Sequence, residues 1–190
     1  MIPRVIALGA TSIAWKTHAE FLSEVDPVEV PPVLRLLLTC DGSMTTALEA
    51  LRGGRVDLEL VRQGEEPIDP DTAGRLGVSP RQTAVSRHAW LTHAGERLLY
   101  AVSVLPLELL SPAVAIEVRR GVEPLGRLFD TADRAVLRDG LRIGRVHDPE
   151  LAAAFGVDSS AALWCRSYRL AVEHTLTASI VEVLSPRLAD

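Results

Sequence analysis

At 190 residues, 47% of them hydrophobic, the chain suits one domain that buries most of its apolar surface without covalent staples. The net charge of −5, with Lys16 the sole lysine among 20 basic residues and no basic stripe, argues against a nucleic-acid binder, whose affinity would rest on a cationic face. Cys40 and Cys165 are the only cysteines, the five histidines lack ligand spacing, and neither a signal peptide nor a long apolar span appears, so the sequence predicts no disulfide, metal or membrane contact and a cytoplasmic setting.

Residues 1–33 predict a short helix over Trp15–Leu22 and a proline-rich approach at Pro27, Pro31 and Pro32, together an N-terminal extension packed on the core. The apolar run Leu34–Cys40 then stops at Asp41-Gly42-Ser43, a tight turn in which Ser43 or Asp41 caps the next helix. Met44, Leu48 and Leu51 recur at helical spacing until Gly53-Gly54 ends the run. Val56, Leu58 and Leu60 alternate with Asp57, Glu59 and Val61, the pattern of a half-buried strand. The helix start near Ser43 presents unpaired backbone N–H groups that can receive a carboxylate; an ordinary capped turn explains the same residues. Gln63–Pro80 gathers Gly, Pro, Asp and Glu without periodicity and predicts a long loop.

Gln82–Pro106 reads as a hairpin turning at His93-Ala94-Gly95-Glu96. Strand alternation puts Arg87 on one face with Val85, Ala89 and Leu91, so a guanidinium points inward and needs an anionic partner. Pro112–Arg119 predicts a helix, Pro124-Leu125-Gly126 a loop, Arg127–Leu137 a further helical or irregular run, and Pro149–Phe155 a short helix among turns over 138–158. Leu163–Val172 and Leu176–Pro186 form a second hairpin around Glu173-His174-Thr175. In its last strand Leu176, Ala178, Ile180, Glu182 and Leu184 share a face, which makes Glu182 a second inward charge, opposite in sign to Arg87. The two could form a buried ion pair with each other, or stand at opposite ends of a pocket and grip a ligand.

DGSMT at 41–45, RHAWL from Arg87, PLG at 124–126 and IVEVLSP around Glu182 occur in the order found in chorismate pyruvate-lyases, which the chain resembles over Leu34–Pro186. The resemblance implies an α+β domain: an antiparallel sheet with helices on one face and helical flaps over an internal cavity. It implies cofactor-independent elimination of pyruvate from chorismate to give 4-hydroxybenzoate. It also assigns roles: Arg87 on the ring carboxylate with the Ser43-Met44 backbone assisting, Glu182 on the 4-hydroxyl as base or orienting group, and backbone around Leu125 and Gly126 closing that end. At Val102 better-known members carry an arginine facing the pyruvyl group; Arg166 and Arg127 are candidate replacements. Two alternatives remain: a non-catalytic effector-binding domain of the same fold, whose usual DNA-binding companion residues 1–33 are too short to supply, or an enzyme making another hydroxybenzoate.

Overall fold

The computed structural model describes residues 13–129, 135–172 and 175–189, the side chains of 175–177 excepted. A two-residue strand, β1 (Lys16–Thr17), leads into α1 (His18–Glu24), where Thr17 and Glu20 cap each other's backbone N–H groups. That reciprocal cap starts the helix later than the Trp15 expected from the sequence. The apolar run is itself helical: α2 (Pro32–Thr39) opens on a proline, whose missing N–H is no loss there, and turns Leu34, Leu37 and Leu38 inward. α3 (Met44–Arg52) is capped by Ser43, whose Oγ accepts from the Thr46 N–H at 3.4 Å, and ends where Gly53 adopts φ 67°.

β2 (Asp57–Pro67), α4 (Pro70–Leu76), β3 (Thr83–His93), β4 (Glu96–Pro106), α5 (Pro112–Arg120), α6 (Leu125–Phe129), β5 (Val136–His147), α7 (Pro149–Phe155), β6 (Ala162–Val172) and β7 (Thr175–Leu184) follow. The strands form one seven-stranded sheet in the order β1-β5-β6-β7-β4-β3-β2, every pairing antiparallel. Both predicted hairpins are present, and the turn residues Glu173-His174 lie outside the described residues, as does the Leu176 side chain. No helix among the described residues is long and apolar enough to cross a membrane.

Three expectations need correction. Gln63–Pro80 is not a loop: β2 runs to Pro67, and α4 follows with Asp69 as cap, Pro70 in its first turn and a left-handed Gly77 behind it. Leu125 and Gly126 are not in a loop but begin α6, and Val136–His147 is a long strand rather than a series of turns. The half-buried strand expected at 56–61 is present, with Val56 and Leu58 turned to the core and Asp57 and Glu59 exposed; the register shift of this edge strand comes only between Leu60 and Arg62.

Helices also cover both faces of the sheet rather than one. On the first face Leu91, Leu99 and Leu184 pack under α1, α2 and α3, and Val85, Leu105 and Ile180 under α5 and α6. The opposite parity is apolar too: Trp90, Tyr100, Cys165 and Val183 meet Leu151 and Phe155 of α7, and Ala84 meets Ala73 of α4. A central strand greasy on both sides has to be covered on both sides.

The N-terminal segment belongs to this core. Phe21 is fully buried, lies edge-on to Trp164 with ring centroids 5.7 Å apart, and carries the Arg35 guanidinium 5.4 Å above its ring. Phe21→Ala should lower the unfolding free energy by about 3–5 kcal/mol in urea denaturation. A loss below about 1 kcal/mol would mean that α1 is dispensable to the core.

Candidate functional site

Parity along two strands places the first two functional side chains. Arg87 shares the first face of β3 with Val85 and Ala89 and stands opposite Ser103 of β4; Glu182 shares that face of β7 with Ile180 and stands opposite Ala101. Roughly 12 Å of sheet separate their Cα atoms, two strand spacings across and two residues along. Both are buried, Arg87 2% and Glu182 5% exposed. Between them Ala89, Ala101 and Ser103 are small, which leaves a hollow over the sheet of ≈ 650 Å³, open solvent at its mouth included. Met44 and Thr45 at the start of α3, Pro124, Leu125 and Gly126 at the start of α6, and Tyr168 complete its walls.

Of the residues expected from the sequence, Met44, Arg87, Leu125, Gly126 and Glu182 therefore line one pocket, while Ser43 caps α3 just behind the wall. Gly126 lets α6 lie close to α3: a Cβ there would stand 3.0 Å from both Ser43 Oγ and Thr45 Oγ1.

Arg87 and Glu182 do not pair. One Arg87 Nη donates to the Glu123 carbonyl oxygen at 3.1 Å, and its buried Nε has no partner among the described residues. Burial pushes its pKa down, though an arginine stays cationic. Glu182 is instead clamped from behind: Arg166 Nε donates to its Oε2 at 2.6 Å and the Tyr168 hydroxyl to its Oε1 at 3.2 Å. Arg166, wholly buried, also donates through Nη1 to the carbonyl oxygens of Leu37 (2.9 Å) and Cys40 (2.7 Å) at the end of α2, where the helix dipole favours a cation. Burial works to lower the Arg166 pKa, but the Glu182 carboxylate beside it raises it overall.

This changes which backbone sits at which end. Arg87 stands beside Glu123-Pro124-Leu125, whereas Glu182 is tied through Arg166 to Cys40 and so to the turn leading into Met44. The resemblance had paired them the other way round.

Two further arginines take unexpected places. Arg138, on strand β5, lines the pocket, donates through Nη1 to the Asp41 carbonyl oxygen at 3.0 Å, and lies 5.8 Å from the Tyr168 ring centroid. Its Nε is buried without a partner among the described residues. Arg127 is occupied by Glu49 and the Val56 carbonyl oxygen. Val102 packs in the Trp90 cluster on the other face of the sheet, so a longer side chain there would point away from this pocket. Arg166 was detectable by the parity argument that found Arg87, since it shares a face with Tyr168 and Leu170.

An apolar slot with an unmatched cation at one end and a clamped carboxylate at the other fits a flat ligand bearing an anionic group and, opposite it, a hydroxyl.

The family model described as "Chorismate pyruvate-lyase Rv2949c-like" matches residues 38–190. A protein of Halorhodospira halophila named "Probable chorismate pyruvate-lyase" is 34% identical over 158 residues, 78% of this chain and 79% of its own. One of the same name from Pseudomonas syringae is 27% identical over 175 residues, 92% of this chain and 89% of its own. The effector domain of PhnF from Mycobacterium smegmatis shares the fold with a TM-score of 0.54 at 20% identity, covering 77% of this chain and 90% of that one.

Arg166→Ala should leave the Glu182 carboxylate buried without its cation and cost about 3–5 kcal/mol in chemical denaturation, and Arg166→Met with Glu182→Leu should recover most of that loss. A cost below about 1 kcal/mol for Arg166→Ala would show that the pair is solvated.

Proposed function

The chain belongs to the chorismate pyruvate-lyase family, and from that premise we propose that the pocket under α3 and α6 converts chorismate to 4-hydroxybenzoate and pyruvate. The protein is a lyase. The observation that carries the assignment of product is the placement of Arg87 and Glu182 at opposite ends of one slot. A ring with its carboxylate on Arg87 places the carbon para to it at Glu182, which is where a 4-hydroxyl belongs.

Arg87 and the backbone at Leu125 take the ring carboxylate. Removing an anion from water costs several kcal/mol, and the guanidinium offsets that cost with charge-assisted hydrogen bonds. At the other end Glu182 accepts from the 4-hydroxyl. Its oxygens already receive Arg166 and Tyr168, and a carboxylate has lone pairs for a further donor. Held by two partners, Glu182 orients the hydroxyl and with it C4 and its hydrogen. The Met44 backbone at the start of α3 supports the same end, and α3 and α6 act as flaps over the ring.

In the reaction the C3–O bond breaks with its electron pair leaving on the enolpyruvate oxygen, C4 loses its hydrogen as a proton, and the ring becomes aromatic. The enolpyruvate takes up a proton and becomes pyruvate. Aromatisation supplies the driving force, so the protein's contribution is to hold ring and side chain in the eliminating geometry and to place cations near the departing oxygen.

Purified protein should release pyruvate and 4-hydroxybenzoate from chorismate in equal amounts, with a chelator present, as identified by chromatography. Arg87→Ala should weaken 4-hydroxybenzoate binding by about 10- to 100-fold in calorimetry, and Arg87→Lys should restore only part of it. Binding without turnover would move the protein to the effector-binding class, a different hydroxybenzoate would overturn the product, and unchanged product binding by Arg87→Ala would make that arginine structural.

A further inference from the structure

Chorismate carries two carboxylates and its aromatic product one, so the pocket has a second anion to receive that 4-hydroxybenzoate does not present. The charged residues on the described pocket wall are Arg87, Arg138 and Glu182. Glu182 is neutralised from behind by Arg166, which leaves two cations facing the cavity, enough for a dianion. Arg127 and Arg166 are excluded from this role by their own carboxylate partners, and position 102 faces the other side of the sheet.

Resting on the lyase reading above, we propose that Arg138 is the residue that binds the carboxylate of the enolpyruvyl side chain and sets selectivity for the dianionic substrate. Three observations converge on it. Its Nε is buried and unpartnered while the rest of the side chain is anchored by the Asp41 carbonyl oxygen. It lies over Tyr168, whose hydroxyl donates to Glu182, so it stands at the Glu182 end of the slot. Covalent chemistry puts the side chain at that same end, because the enolpyruvyl oxygen is on C3, next to the C4 that carries the hydroxyl. A cation there meets the second carboxylate and, as the C3–O bond breaks, the charge arriving on the leaving oxygen. Once pyruvate has left, Arg138 has no anion on the remaining ring to hold.

The test separates substrate from product. Wild type, Arg138→Ala, Arg138→Gln and Arg138→Lys are compared in steady-state turnover of chorismate and in calorimetric binding of 4-hydroxybenzoate. Arg138→Ala and Arg138→Gln should lose about 10- to 100-fold in kcat/KM, Arg138→Lys should recover part of it, and all three should bind 4-hydroxybenzoate within about 2-fold of wild type. Equal loss of substrate turnover and product affinity would mean that Arg138 only props up the Asp41 turn, and overturns the proposal. So would kcat/KM unchanged in the alanine and glutamine variants. Wild type that binds 4-hydroxybenzoate but leaves chorismate intact would overturn the lyase reading itself, a result distinct from either.

Discussion

Arg166 is wholly buried, and everything at one end of the pocket depends on where its charge goes. It meets Glu182 across the β6–β7 pairing and the last carbonyls of α2, so one guanidinium joins sheet, helix and the turn that starts α3. Desolvating such a group costs several kcal/mol, and the cost is offset only while every partner stays in place. The pair therefore acts as a geometric constraint more than a source of net stability. It fixes the Glu182 carboxylate facing the slot and sets the start of α3 above it.

Arg87 is the contrasting case. It is as deeply buried, and each of the two guanidinium groups keeps one buried nitrogen without a partner among the described residues, Nη2 of Arg166 and Nε of Arg87; but where Arg166 has the Glu182 carboxylate, Arg87 has a single carbonyl oxygen. Folding energy alone gives no reason to keep an unmatched cation there, since an apolar residue of similar volume would pack with less penalty. A ligand carboxylate gives one. The same logic applies more weakly to the half-exposed Arg138. The two ends thus differ in kind: a carboxylate paired with a buried arginine, and a cation with no carboxylate partner among the described residues.

Arg87 and Glu182 were legible because the alternation is regular on both sides of each, over Val85–Leu91 and Ala178–Leu184, and the register shifts fall outside those stretches, so parity decides which way the side chain points. Arg166 obeys the same parity, but its neighbours Cys165 and Ser167 are small and buried too, so neither face of that strand announces itself as polar. β5 was hidden by Asp139 and Gly140, which interrupt the alternation at a register shift, and by arginines that stack on aromatic rings; Arg145 lies 4.1 Å from the Trp164 ring centroid. α4 is too short to show a period, although its Asp-Pro start and Gly stop follow the same grammar as α7. Gly126 read as a loop breaker because the reason for it, the approach of Ser43 and Thr45, is tertiary. The second layer of helices was foreshadowed by Trp90 and Tyr100, apolar rings on the face assumed to be free.

In the proposed binding mode the two buried charges, Arg87 and Glu182, hold one ring by its two ends. A crystal structure of the protein with 4-hydroxybenzoate would show this directly. It should show the carboxylate within hydrogen-bond reach of the Arg87 guanidinium and the hydroxyl on Glu182, with the Arg166–Glu182 pair intact behind it. A ring bound the other way round, or lodged elsewhere with Arg87 still unmatched, would contradict it.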